Sequence, residues 1–170
     1  MRPALCLAAM SCLTLPALAE PVTMSDAKQA LADSGAEAMQ LAYNEGNPAI
    51  SGEIDERAFE AQLSGCTGDT LSCVRISLSA CLPLPGESRI EALEFVNDWN
   101  SGAKLTVATA REDWLGPSAC LRYSANLEGT ARFGPDDVIL WRIDLEDFGQ
   151  LIADGGTGAA MADLLDNGAP

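Results

Sequence analysis

The chain contains no histidine, and that absence removes the commonest general base at neutral pH together with the usual nitrogen ligand of zinc. Ser-His-Asp and Cys-His nucleophile systems are excluded, as are histidine-ligated metal sites. Phosphate loops, nucleophile elbows and calcium-loop spacings are also missing. Gly155-Gly156-Thr157-Gly158 follows a helical pattern instead of a strand, so it reads as linker and not as a dinucleotide fingerprint. Carboxylate pairs such as Asp136 with Asp137, or Asp144 with Asp147, are ordinary in a chain this acidic and are expected on solvated helix faces. No catalytic residue, cofactor or metal is expected.

Positive charge is scarce: Lys and Arg total 10 against 25 Asp and Glu. Such a field repels nucleic acid and anionic lipid, and favours solubility or a protein partner that is basic or carries basic patches. Long apolar runs are missing after the N-terminus, where no segment reaches the roughly 18 residues of a membrane helix. The mature protein is therefore expected to be soluble.

The N-terminus itself has Arg2, an apolar run from Pro3 to Leu15, and Ala17-Leu18-Ala19 before Glu20. That is the pattern of a cleaved secretory signal, residues 1–19, and points to the periplasm. A lipid at Cys12 would need a small-residue box ahead of it, and Ala9-Met10-Ser11 fits that poorly. Without residues 1–19, nine basic residues face 25 acidic ones and the net charge is −16. The remaining length suits one domain. Residues 20–156 are assigned to it and residues 157–170, small and acidic, to a loose tail.

Within the domain, Thr23 or Ser25 can cap a short helix in which Met24, Ala27 and Leu31 share a face, and Gly35 ends it. Residues 36–43 alternate at Met39, Leu41 and Tyr43 and are read as a strand. Strands follow at 49–54 and 58–64 around Asp55-Glu56-Arg57, with Ile50, Ile54, Phe59, Ala61 and Leu63 inward. A third runs from Leu71 to Cys81, burying Val74, Ile76, Leu78 and Ala80 and leaving Cys73, Arg75, Ser77, Ser79 and Cys81 on a polar face. Ser88 and Glu91 have capping-box spacing for a helix that buries Ala92, Phe95, Val96 and Trp99 and ends at Asn100-Ser101-Gly102. Lys104 to Ala110 and Ser118 to Leu127 form a second hairpin. Gly134-Pro135-Asp136-Asp137 opens the last helix, whose stripe is Val138, Trp141, Leu145, Phe148 and Ile152. That stripe and the face of Phe95 and Trp99 should cover the same side of the sheet, against Val74, Ile76, Leu121 and Tyr123.

Four cysteines remain in the mature chain, an even number in an oxidising compartment, so disulfides are the default. Cys66 and Cys73 bracket a hairpin connection and should pair. Cys81 and Cys120 also meet if their strands are antiparallel neighbours. The spacing is not C-x-x-C, which argues against redox catalysis. Asn97, Trp99 and Asn100 form the candidate ligand site, since two amides border an apolar face and an indole can stack on a small or cationic molecule. The competing reading is structural: Trp99 in the core, with the asparagines bonding to the helix end or the adjoining strand.

In Glu94-Phe95-Val96-Asn97-Asp98-Trp99-Asn100, the Leu121-Arg122-Tyr123 strand, and Cys66 with Cys73 before a strand, residues 25–154 resemble the YbjN family of bacterial domains. The resemblance implies an α+β fold similar to type III secretion chaperones, with helices on one face of an antiparallel sheet built from a meander and a hairpin. Family members are described as sensory transduction regulators, and no enzyme activity or catalytic residue is implied. Export and disulfides set this chain apart from a cytoplasmic regulator. An interaction or chaperone-like module of the envelope is the expected function, and a ligand binder the alternative. Neither the partner nor the oligomeric state is legible.

Overall fold

The computed structural model describes residues 21–44, 46–68, 71–84, 89–102, 104–113, 116–127 and 132–154. The expected signal (1–19), the tail (157–170), the Ser88 cap and the Gly155-Gly156 stop lie outside these residues. The architecture is α+β: helix α1 (Met24–Asp33), strands β1 (Glu37–Asn44), β2 (Asn47–Ile54), β3 (Arg57–Thr67) and β4 (Ser72–Pro83), helix α2 (Arg89–Ser101), strands β5 (Val107–Asp113) and β6 (Gly116–Asn126), and helix α3 (Pro135–Ala153). All strand pairs are antiparallel, in the order β1-β2-β3-β4-β6-β5.

Local chemistry sets the element boundaries. Thr23 caps α1 through a capping box, its Oγ1 accepting from the Asp26 amide at 3.2 Å while Asp26 Oδ2 accepts from the Thr23 amide at 3.1 Å. Between β2 and β3, Asp55 and Glu56 both have left-handed φ values, 49° and 63°. This conformation matches the right-handed twist of the flanking strands. Arg142 of α3 donates two hydrogen bonds to the Asp55 carboxylate and a third to the Ser34 carbonyl. One guanidinium thus joins the last helix, the first hairpin turn and the end of α1.

The helices cover one face of the sheet. Val138, Trp141, Leu145, Phe148 and Ile152 are buried, as are Ala92, Phe95, Val96 and Trp99 of α2. Phe148 links the two helices, with its ring 5.1 Å from Phe95 and 4.9 Å from Trp99, while Trp141 meets Phe59 edge-on at 6.0 Å. Beneath them lie Ile50, Ile54, Ala61, Leu63, Ile76, Leu78, Ala80 and Leu121. On the opposite face, among the described residues, no element covers Glu60, Gln62, Ser64, Arg75, Ser77, Ser79, Arg122 and Ser124.

Several expectations shift. The strand expected from Lys104 starts at Val107, because Lys104 and Thr106 direct their side chains to α3 instead of joining the ladder. Cys73, expected on the polar face, is fully buried, since Val22 and Cys73 exchange backbone hydrogen bonds of 3.0 and 2.9 Å. Val74 and Tyr123 are only half-buried. Asp144, expected in solvent, is buried. It lies three residues after Trp141, within the inward arc of the helix.

Disulfides join Cys66 to Cys73 and Cys81 to Cys120. The strand register sets each pair directly opposite, Cys66 against Cys73 across β3 and β4, and Cys81 against Cys120 across β4 and β6. Such bonds fit an extracellular or periplasmic setting. Among the described residues no helix is long and apolar enough to cross a membrane.

Candidate functional site

The Asn97 to Asn100 segment closes α2, and the helix separates its three candidate residues instead of gathering them. Trp99 points inward and is 5% exposed, packed edge-on against Phe148. Asn97 is exposed on the outer side of the helix. Asn100 turns to β5: its Nδ2 donates to the Ala108 carbonyl at 2.9 Å, and its Oδ1 accepts from the Ala108 amide at 2.8 Å. A single side-chain amide here acts like a neighbouring strand, satisfying both outward backbone groups of Ala108 on the sheet's last strand.

The remaining side of the indole is occupied as well. Lys104 Nζ lies 4.7 Å from the Trp99 ring centroid. Its charge is held there by Asp147 at 3.2 Å and Asp144 at 3.9 Å, and Thr106 Oγ1 donates to Asp144 Oδ2 at 2.8 Å. The ammonium gains from the negative face of the ring as well as from the carboxylates. Lys104, Thr106 and Asp144 escaped sequence reasoning because the first two looked like strand residues and the third like surface. The helical offset of Asp144 from Trp141 was the available signal. Trp99 Nε1 and Trp141 Nε1 are buried donors without an acceptor among the described residues, each costing about 1–3 kcal/mol of lost hydration. Phe148 and the Lys104 ammonium both lie against the Trp99 ring, and Phe59 lies against Trp141.

A shallow cleft of about 310 Å³ is lined by Arg89, Leu93, Ala110, Arg111 and Glu112, at the start of α2 beside β5. It contains none of Asn97, Trp99 and Asn100. Among the described residues no group of His, Cys, Asp or Glu side chains converges as metal ligands would.

The two sheet edges differ. On β5 the Asn100 amide and helix α2 close the edge, whereas no described element lies beyond β1. Tyr43 pairs with Pro48, which has no N-H, so this is a non-hydrogen-bonded pair, and by alternation so is Leu41 with Ile50. The backbone N-H and C=O groups of Leu41 and Tyr43 therefore point to the open edge. Their side chains are 55% and 66% exposed.

No protein-family model matches the chain, and no curated protein matches it.

Proposed function

We propose that this protein is a non-enzymatic interaction module of the cell envelope, exported to the periplasm by cleavage of residues 1–19, where it binds a protein partner as a chaperone or regulator. One contrast carries the reading. The Trp99 region, the candidate small-molecule site, is filled by Phe148 and Lys104, while a domain with a complete core leaves Leu41 and Tyr43 on an unpaired edge strand. Unpaired edges with apolar side chains are surfaces that other chains use. The YbjN-like, type III secretion chaperone-like assignment belongs to the same proposal and rests on the Asn97 to Asn100 motif and the α+β architecture.

A mature charge of −16 draws in basic partners and disfavours most others. The alternative reading, a small or cationic ligand on Trp99, would require displacement of the Lys104 ammonium from the ring. Pull-down from periplasmic extract with the mature protein tests the proposal. A specific partner that is retained at about 0.15 M salt and weakened toward 1 M supports it. Recovery of no partner, together with a small molecule that quenches Trp99 fluorescence and raises the melting temperature, would overturn it. Intact-mass measurement of exported protein checks the compartment, with Glu20 expected as the first residue and no lipid at Cys12.

A further inference from the structure

Helix α3 is apolar on two sides. Its inner stripe is buried, yet Ile139, Leu140, Ile143 and Leu151 are 42%, 46%, 51% and 43% exposed. A helix with apolar residues around most of its circumference normally has neighbours on both sides. Here the described residues supply only one. Ile139 and Ile143 stand at i, i+4, as do Asp136 with Leu140, Ile143 with Asp147, and Asp147 with Leu151. Such residues are adjacent on a helix surface, so the outer face forms ridges in which large apolar side chains alternate with carboxylates.

Charge on that face is mainly negative, with Lys104 as a cationic neighbour whose ammonium sits 3.2 Å from Asp147. Asp136, Glu146, Asp147 and Asp154 are all exposed. The one cation of the helix, Arg142, is committed to Asp55 and Ser34. From Ile139 to Leu151 the face extends about 18 Å, room for roughly three turns of a second helix packed along it.

We infer that the outer face of α3 is a docking surface for a basic amphipathic helix of a partner protein. Its apolar stripe would lie on Ile139, Leu140, Ile143 and Leu151, and its flanking Lys or Arg side chains would meet Asp136, Glu146 and Asp154. The inference rests on the interaction reading above and names the element that performs it. Charge decides among the occupants. A second copy would bring the same carboxylates against themselves, and an anionic membrane would be repelled. A basic helix satisfies both the apolar and the acidic part of the face, as flanking charges do beside the apolar seam of a coiled coil.

The test uses mature protein labelled with ¹⁵N and a synthetic helix of Leu and Lys whose leucines repeat every three to four residues. Amide shifts are expected to cluster between Asp136 and Asp154. Leu140→Lys combined with Ile143→Lys, both on the exposed side, should leave the melting temperature within a few degrees of the parent and weaken the peptide by about tenfold or more. A scrambled peptide of the same composition should bind about tenfold more weakly than the amphipathic one. Shifts spread over the whole acidic surface, or an unchanged affinity of the double variant, would overturn the site. Shifts confined to β1 would overturn it while leaving the interaction reading in place. Self-association of the unliganded protein, or binding to phosphatidylglycerol vesicles, that the double variant abolishes would replace the partner helix with a second copy or a membrane. Recovery of no partner by the parent protein in the pull-down undoes the broader reading; a partner retained by the double variant undoes only this one.

Discussion

The Tyr123 hydroxyl donates a 2.6 Å hydrogen bond to Asp137 Oδ1, joining β6 to the first turn of α3. The other oxygen of the same carboxylate accepts from the Gly134 amide at 2.9 Å, so Asp137 caps the helix and anchors it to the sheet at once. Partial burial, then the bond to this anion and its charge, push the Tyr123 phenol well above its ordinary range. The folded state therefore holds the phenolic proton more tightly than the unfolded one. Stability from this group is complete below the unfolded tyrosine pKa of about 10 and declines as pH rises above it. Tyr123→Phe should cost about 1–2 kcal/mol at neutral pH and flatten the alkaline part of the stability curve. Denaturant melts at pH 7 and at successive values above 10 measure both, and an equal alkaline loss in the variant would assign the effect elsewhere.

The two disulfides should differ in weight. Cys66 to Cys73 closes a loop of only eight residues, with a sequence separation of 7, whereas Cys81 to Cys120 spans a separation of 39. Chain-entropy arguments give about 2–3 kcal/mol for the first and about 4 for the second. Cys81→Ser with Cys120→Ser should thus lower the melting temperature more than Cys66→Ser with Cys73→Ser. Thiol labelling of unfolded, unreduced wild-type protein should find no reactive cysteine in the mature chain.

Trp141 is fully buried and meets Phe59 edge-on. Truncation to Ala should cost about 3–5 kcal/mol, a large share of the stability of a domain this size. Thermal unfolding followed by circular dichroism reads the loss directly. A shift of one or two degrees would mean that α3 contributes little to the core.

Asn97 and Asn100 share a motif but should respond differently. Asn100→Ala leaves the outward N-H and C=O of Ala108 without their partners, at a cost of about 1–3 kcal/mol. Asn97→Ala removes an exposed side chain and should fall within about 0.5 kcal/mol of the parent. Equal effects in chemical denaturation would contradict the role assigned to Asn100.

Strong periodicity made the core legible. The Val138, Trp141, Leu145, Phe148, Ile152 stripe and the Phe95 to Trp99 face are buried where the spacing puts them, because a 3.6-residue period leaves little freedom in which side faces in. What periodicity could not convey was whether a second layer lay over a given stripe. Leu41 and Tyr43 alternate like buried strand residues and, by register with Ile50 and Pro48, lie on the helix side of the sheet, yet no described helix covers them and both stay exposed. Ile139, Leu140 and Ile143 passed unnoticed for the complementary reason, being off the stripe that the spacing picked out. Residues 97, 99 and 100 are close in sequence, but a helix turns each about 100° from the last, sending them to solvent, core and strand respectively.

The sheet order also has a kinetic meaning. Pairings from β1 to β4 join sequence neighbours through short turns, and β5 with β6 is another local hairpin, but β4 must find β6 across the whole of α2 and β5. That pairing is the seam between two sets of locally connected strands, and it closes the longest loop in the sheet. Cys81 and Cys120 lie on the seam itself. Once oxidised they hold its two strands within reach even in the unfolded chain, so the bond shortens the search as well as securing the result. Refolding from denaturant should then be faster for the oxidised chain than for the reduced one, with the acceleration residing in the folding arm of the chevron.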